Sequence, residues 1–168
     1  MTDETFHVGF TGTRNKPTDY QEKRLLELFM FLQSKGATAL HHGDCVGADV
    51  LAHKLAIRAG FEVIYIHPPT DGKLRAYCDA LGTPIKGGVL EAPRPYLTRN
   101  RDIVQSSAVL VAVPSRDEIV RSGTWATVRY ARECGMPIYL IFPFRINAEG
   151  DPFDWHSAEP FQSPWRRS

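Results

Sequence analysis

The sequence predicts an α/β protein with a mostly parallel central sheet and helices on both of its faces. Short apolar runs alternate with helical patterns along most of the chain, which is typical of strand–helix–strand units. Two of these runs, residues 108–113 and 137–142, are continuously apolar, as in parallel strands buried on both faces. The length of 168 residues is usual for one domain.

The first half of the chain predicts three strands joined by two helices. Thr18 and Gln21 have the spacing of a capping box, which marks the start of the first helix, and Gly36 marks its end. Gly60 ends the second helix in the same way. The predicted elements are a strand at 6–11, a helix at 18–35, a strand at 37–41, a helix at 48–59 and a strand at 61–66.

The second half resumes this alternation after a less regular middle. The predicted elements are a short helix at 74–81, a strand within 84–92, a helix at 96–106, a strand at 108–113, a helix at 123–133 and a strand at 137–142. Beyond them, prolines and aromatic residues follow one another without regular spacing. We therefore expect a domain at 1–143 and an irregular tail at 144–168, which packs on that domain or on a partner subunit.

The charge balance argues against a generally basic surface. The chain holds 20 Lys and Arg against 19 Asp and Glu, so its net charge of +1 does not suit a protein that coats nucleic acid or anionic membranes. No apolar run approaches the roughly 18 residues of a membrane helix, and the acidic first residues do not resemble a signal peptide. The three cysteines form no CxxC pair, so we expect a cytoplasmic location.

The loop after the first strand suits a phosphate group. Ligands of parallel α/β sheets bind at the carboxyl ends of the strands, so the loops that follow the strands are the candidate binding loops. Gly12 lets a ligand approach the backbone, Thr13 offers a hydroxyl, and Arg14 offers a positive charge. A simple tight turn is the alternative interpretation of this loop.

The loop at residues 41–49 combines two glycines with two carboxylates. Gly43 and Gly47 allow a tight turn into a helix, and the N-terminus of that helix favours an anion. Asp44 and Asp49 would repel a phosphate, so they suit ribose hydroxyls, helix capping or acid–base chemistry better. Capping or structural bonding is favoured for Asp49, and ligand contact is favoured for Asp44.

The third loop places two cations at the start of a helix. Arg99 and Arg101 flank Asn100 there, although cations stabilise the other end of a helix. A bound anion would resolve this conflict, and a salt bridge within the chain is the alternative.

The fourth loop predicts the best phosphate cradle in the chain. Ser122, Gly123 and Thr124 supply two hydroxyls and free amide groups at a helix start, and Arg121 adds positive charge. A serine cap without a ligand is the alternative interpretation.

Histidines are frequent near the second loop, but their spacing matches no zinc motif. His41, His42, His53 and His67 form neither an HExxH pattern nor a pattern with paired CxxC motifs, so we expect no metal site. A buried, hydrogen-bonded role is expected for His53, which lies on a predicted helix.

These four segments, in this order, resemble those of the SLOG superfamily, which unites the DNA-processing protein A (Smf) family with the LOG nucleotide phosphoribohydrolases. The resemblance spans residues 6–143. The most detailed similarity is to the DNA-processing protein and lies in residues 43–49 with Ala52-His53, in Arg99-Asn-Arg101 with Ile103, and in residues 122–127. The resemblance implies a Rossmann-like three-layer sandwich with a nucleotide or phosphate pocket, assembled as a homodimer or higher homo-oligomer.

The sequence departs from the LOG hydrolases at the fourth loop. Those enzymes carry a Pro-Gly-Gly-x-Gly-Thr-x-x-Glu signature, whereas here the residues before Gly123-Thr124 are not glycines and Thr127 replaces the catalytic glutamate. Hydrolysis would therefore need another carboxylate, for which Asp44 is the first choice.

Together these patterns predict a nucleotide-binding or sensor protein without a resident cofactor or metal. Its pocket would hold the phosphate and ribose of a nucleotide or nucleotide-derived small molecule. One alternative is an N-glycosidase that cleaves a nucleotide to base and ribose phosphate, with Asp44 as the catalytic carboxylate. The other is single-stranded DNA binding, against which the near-zero net charge argues. The sequence does not decide whether the protein is an enzyme.

Overall fold

Six parallel strands form the central sheet of the computed structural model, which describes residues 5–144. The spatial order is β4-β3-β2-β1-β5-β6, and every neighbouring pair is parallel. The fold is therefore Rossmann-like, and the predicted sheet is confirmed as entirely parallel. The strands are β1 Phe6–Gly12, β2 Ala37–His42, β3 Val63–Ile66, β4 Gly88–Leu90, β5 Val109–Val113 and β6 Ile138–Leu140.

Four α-helices cover the two faces of the sheet. They are α1 Asp19–Ser34, α2 Ala48–Ala59, α3 Tyr96–Gln105 and α4 Gly123–Glu133. The helices α1 and α2 pack together on one face, and α3 and α4 pack together on the other. Two hydrophobic clusters fill the layers: Phe10, Phe29 and Leu40 lie in the first, and Leu110 and Trp125 lie in the second. Among residues 5–144, no helix is long and apolar enough to cross a membrane.

The start of α1 confirms the predicted capping box. The Thr18 hydroxyl accepts a hydrogen bond from the Gln21 amide at 3.1 Å, and the Gln21 side chain accepts one from the Thr18 amide at 3.1 Å. Gln21 is buried, and its side-chain amide also donates to the carbonyl oxygens of Pro114 and Ile141. The cap therefore fixes the start of α1 against the ends of β5 and β6.

The prediction of a short helix at 74–81 is wrong. The structure has two separate 3₁₀ turns there, Gly72–Leu74 and Cys78–Ala80. Between them the chain is extended at Arg75, which forms an antiparallel bridge with Cys45, and the Ala76 amide donates to the Asp44 carbonyl at 2.8 Å. These bonds to the second loop replace the bonds of a continuous helix.

The crossover from β4 to β5 creates the crevice in which Rossmann-like folds bind ligands. The strands β1 and β5 are neighbours, although the chain leaves them toward opposite edges of the sheet. The connection runs through α3, whose first turn lies near the carboxyl ends of the strands, as its contacts with the second loop show. Of the predicted tail, residues 145–168 lie outside the described part of the chain.

Candidate functional site

The structure brings the four predicted loops together at the carboxyl edge of the sheet. The Thr13 amide donates to the carbonyl of Val113, and the Thr13 carbonyl accepts from the amide of Ala48, both at 2.9 Å. These two bonds join the first loop to the end of β5 and to the start of α2. Gly12 completes this contact, because a Cβ there would lie 3.1 Å from the Val113 carbonyl oxygen and would strike Ala48.

Two glycines of the second loop are required by close packing. Gly47 has φ +90°, and a Cβ at this position would lie 2.6 Å from the Thr13 carbonyl oxygen. A Cβ at Gly43 would overlap the Arg99 guanidinium. The glycines predicted to form a tight turn thus also allow the loops to approach one another.

Arg99 is the buried cation at the centre of these loops. It is 2% exposed, and its guanidinium donates to the carbonyl oxygens of Gly43 and, at 3.0 Å, His67. A further contact of 3.6 Å joins it to the sulfur of Cys45. The side chain therefore links α3 to the ends of β2 and β3 through backbone carbonyls, whereas the sequence offered an anion or a salt bridge as its partner.

Two arginine guanidinium groups lie over the ring of Tyr96, the first residue of α3. The guanidinium carbon of Arg14 lies 5.1 Å from the ring centre, and that of Arg99 lies 4.8 Å from it. These two distances place the positive charges within about 10 Å of each other. At about 10 Å and an effective dielectric constant of about 20, such charges repel by about 1.7 kcal/mol, which an anion between them would offset.

The start of α4 lies against the same tyrosine. A Cβ at Gly123 would collide with the Tyr96 hydroxyl and lie 2.9 Å from two of its ring carbons. The Ser122 hydroxyl caps the helix by accepting from the Trp125 amide at 3.3 Å. The amides of Gly123 and Thr124 make no hydrogen bond within residues 5–144, so they and the helix dipole are available to an anion.

Two buried donors of α3 also lack an acceptor. Neither Arg99 Nε nor Asn100 Nδ2 makes a hydrogen bond to any described residue, although Asn100 is only 7% exposed. An unpaired buried polar group costs about 1–3 kcal/mol, so such groups are uncommon in folded proteins. The third loop therefore holds donors that an oxygen-rich ligand would satisfy.

Asp44 is held on all sides by its own chain. It is fully buried at φ +57°, and its carboxylate accepts from Arg75 Nε at 2.6 Å and from the Cys78 amide at 2.8 Å. Its own amide donates to His42 Nδ1 at 3.0 Å. The residue predicted to contact ligand thus anchors the 72–80 segment on the second loop.

Asp49 caps the same turn from the start of α2. Its carboxylate accepts from the Cys45 amide at 3.0 Å, which matches the structural role favoured for it by the sequence. Burial raises the pKa of Asp49 to about 6, while the Arg99 guanidinium and the amides of Cys45 and Gly43 favour its charged form. The carboxyl group therefore titrates near neutrality beside the buried arginine.

Two of the predicted arginines do not lie over the Tyr96 ring. Arg101 is exposed and lies over the ring of Tyr130 on α4, at 5.2 Å from its centre. Arg121 is exposed at φ +63°, immediately before the cap of α4. Within the described part of the chain, neither makes the cation–ring contact with Tyr96 that Arg14 and Arg99 make. The nearby ion pair of α3 instead joins Asp102 to Arg94 at 2.8 Å.

His42 and His53 form a hydrogen-bonded relay beside Asp44. Because His42 Nδ1 accepts from an amide, its proton lies on Nε2 and donates to His53 Nδ1 at 3.0 Å, and His53 Nε2 donates to the Gly82 carbonyl at 2.8 Å. His53 is buried and hydrogen-bonded, as the sequence predicts. Burial holds the pKa of His42 well below its usual range.

Both histidines of this relay also belong to a cluster of residue types that can bind metal ions. The donor atoms of His42, His53 and Cys78 lie within 4.8 Å of one another, and all three residues are buried. Metal coordination through His42 Nε2 would require its proton on Nδ1, which faces the Asp44 amide donor. These residues do not fit a metal ion in this arrangement.

A second row of rings crosses β1, β2 and the end of β3. His41 hydrogen-bonds His7 and His67, each at 2.8 Å, and stacks on Tyr65 with ring centres 4.4 Å apart. Burial, with smaller effects from His67 and His7, lowers the pKa of His41 to about 3. Burial also lowers the pKa of His67 to about 4.

A cavity of about 310 Å³ opens beside α3, next to the site. Arg99 borders both the cavity and the second loop, and His67 joins the cavity to the histidine row. The remaining lining is polar and mixed in charge: Glu91, Ala92, Arg94, Asp102, Gln105 and Ser106.

Sequence reasoning missed three residues of this site. The position of Tyr96 could have indicated its role, because it is an aromatic residue three positions before Arg99, the first residue of the Arg-Asn-Arg segment. Arg75 and Cys78 gave no such indication, because only the path of the chain around the two 3₁₀ turns brings them to Asp44.

The anchoring role of Asp44 predicts a large loss of stability on neutralisation. Asp44→Asn removes the buried carboxylate partner of the Arg75 guanidinium, whose side chain is 15% exposed, and leaves it only the exposed carboxylate of Asp79. We expect the free energy of unfolding to fall by about 3 kcal/mol, measured by urea denaturation. Asp79→Asn is the matched control, because Asp79 pairs with the same arginine at 3.4 Å but is 45% exposed, and we expect less than about 0.5 kcal/mol. Equal effects of the two substitutions would contradict the anchor.

The buried histidines predict a loss of stability in acid. The pKa values of His41 and His67 are about 3 and 4 in the folded protein, against 6.5 in an unfolded chain. Between these values the unfolded chain binds more protons, so each histidine lowers the free energy of unfolding by about 1.4 kcal/mol per unit of pH below 6.5. Asp49 opposes them between pH 3.8 and about 6, because there its folded form binds the proton.

Urea denaturation at pH 7.5, 6.0 and 5.0 measures this slope. His41→Gln removes one titrating group, so its slope below pH 6.5 should be shallower than that of the unmodified protein by about 1.4 kcal/mol per pH unit. At pH 7.5 the difference in stability between the variant and the unmodified protein measures the loss of the His41 hydrogen bonds, separately from the loss of its titration. Parallel pH profiles would refute the assignment.

Comparisons with known proteins support the fold. No protein-family model matches the sequence, and the curated proteins give no match. A solved molybdenum cofactor binding protein from the phototrophic bacterium Rippkaea orientalis is similar, with a TM-score of 0.59 and 19% identity over 83% of this chain and 77% of that chain. The Moco carrier protein from Chlamydomonas reinhardtii has a TM-score of 0.54 and 23% identity over 82% of this chain and 76% of that chain.

A third similar structure is TM1055, a structural genomics target. Its TM-score is 0.56, with 19% identity over 79% of this chain and 71% of that chain. Identities this low show a common fold and leave ligands undecided. The chain thus shares a Rossmann-like fold with TM1055 and the Moco carrier proteins.

Proposed function

We propose that this protein binds the phosphate and ribose of a nucleotide or nucleotide-derived small molecule at the carboxyl edge of its sheet. The observation that carries the proposal is the stacking of Arg14 and Arg99 over Tyr96, beside the unpaired amides of Gly123 and Thr124. Two cations and a helix N-terminus converge there, which is the arrangement that binds phosphate groups in Rossmann-like folds.

The space beside α3 suits the rest of such a ligand. The 310 Å³ cavity shares Arg99 with the phosphate site and is within the range of small-molecule pockets. Arg99 Nε and Asn100 Nδ2 would donate to ligand oxygens between the two regions. In this arrangement the phosphate lies at the start of α4 and the ring system extends toward His67.

The similar structures widen the set of ligands worth testing. Two of them are named for binding or carrying the molybdenum cofactor, so that cofactor belongs in the same panel as nucleotides. Single-stranded nucleic acid is a weaker proposal, because a net charge of +1 provides little general attraction for a polyanion.

Binding is favoured over N-glycosidase chemistry by the bonding of Asp44. A carboxylate that stabilises an oxocarbenium-like state must reach the anomeric carbon of the sugar. Both oxygens of Asp44 are already bonded, to Arg75 and to the Cys78 amide. A catalytic role would require the 72–80 segment to move away from the second loop. The proposal includes a homodimer or higher homo-oligomer in the cytoplasm, as the sequence resemblance and the cysteine pattern suggest.

A thermal-shift panel tests the proposal. Nucleoside monophosphates, ADP-ribose, cyclic nucleotides and the molybdenum cofactor are compared with phosphate-free nucleosides. At a hundredfold excess over Kd, a true ligand should stabilise by about 2.7 kcal/mol and raise Tm by about 5 °C or more. Folded protein that shifts with none of the phosphate-bearing compounds would contradict the proposal.

Arg14→Met then tests the site itself. Arg14 is exposed, so its loss should leave folding intact while removing a charge-assisted bond, and the affinity for the best ligand should fall about tenfold or more. Arg58→Met is the control, because Arg58 is an exposed arginine in the last turn of α2, at the far end of that helix. Equal affinities for the two variants would place the phosphate elsewhere.

A further inference from the structure

We propose that Tyr96 is the positioning residue of the phosphate site, in that its hydroxyl donates to the bound phosphate while its ring holds the arginines in place. This inference rests on the proposed function and adds a residue that neither the sequence motifs nor the fold assigns. It also implies that the ligand has a phosphate group whose oxygens can contact a phenol, an arginine and two amides simultaneously.

The ring is placed to orient both cations. Arg14 is exposed and would otherwise sample many rotamers, but its guanidinium lies over the Tyr96 ring. Arg99 approaches the same ring from the buried side of α3. The tyrosine thus fixes two positive charges in one small region before any ligand arrives, which lowers the entropy lost on binding.

The hydroxyl is placed to meet the anion. It contacts the first residue of α4 so closely that any side chain at Gly123 would displace it. That residue and Thr124 carry the two amides that no described residue accepts. An oxyanion bound to these amides would lie within reach of the hydroxyl, and the phenol O–H is a good donor to phosphate oxygens.

The choice of residue type follows from both requirements. Phenylalanine would keep the ring and both cation–π contacts but would lose the donor. Leucine would lose the ring as well and would release Arg14. Because the first change removes one hydrogen bond to a charged group, it should weaken phosphate binding by about tenfold or more.

The test uses inorganic phosphate as the probe, with binding followed by phosphorus NMR on the full chain. Tyr96→Phe should bind phosphate about tenfold or more weakly than the unmodified protein, at unchanged Tm, and Tyr96→Leu should bind it more weakly still. Tyr77→Phe is the matched control, because Tyr77 also carries an arginine over its ring, Arg75 at 4.4 Å, but is 52% exposed on the 72–80 segment.

The outcomes separate this inference from the proposed function. If the unmodified protein binds phosphate and Tyr96→Phe binds it equally well, the hydroxyl is no donor and the inference is overturned, while the proposed function stands. If the unmodified protein binds neither inorganic phosphate nor any compound of the nucleotide panel, both fail together. A Tyr77→Phe variant as weak as Tyr96→Phe would also overturn the assignment to Tyr96.

Discussion

The burial of the Arg99 guanidinium is the interaction on which the arrangement of the site depends. This cation hydrogen-bonds the backbone carbonyl oxygens of Gly43 and His67, and so holds α3 against the ends of two strands. A buried charge is costly unless it is neutralised, and carbonyl oxygens supply only partial charges. Asp49 is close enough to interact, although burial raises its pKa to about 6. Arg99 Nε still lacks an acceptor among the described residues, and an oxygen of an anionic ligand would supply one.

The shape of the neighbouring loops follows from making room for that side chain. Gly43 must lack a Cβ because the guanidinium occupies the space, and Gly47 must lack one because the first loop lies against it. The backbone that carries these glycines needs its own support. Asp44 supplies this support by accepting hydrogen bonds from Arg75 and the Cys78 amide, which hold the 72–80 segment against the second loop. The Asp44 carboxylate in this glycine-rich loop therefore has a structural role.

Local signals in the sequence predicted the elements, and long-range contacts explain what they missed. The bounds of α2 and α4 agree with the prediction because caps and glycine stops are local. The 74–81 segment has helical composition, but its backbone bonds go to the second loop. Arg99 and Arg101 look alike in sequence, yet two residues apart on a helix they point to different sides, one inward and one over Tyr130. The convergence of the loops was predictable, because parallel strands end at one edge.

We expect phosphate to bind where Tyr96 meets the start of α4. A crystal structure with a nucleoside monophosphate, chosen as the tightest binder of the panel, tests this most directly. Phosphate oxygens should lie within about 3.2 Å of the amides of Gly123 and Thr124, of the Tyr96 hydroxyl and of the Arg14 guanidinium. A nucleotide bound with its phosphate at Arg101, or elsewhere on the surface, and with the start of α4 free, would contradict it.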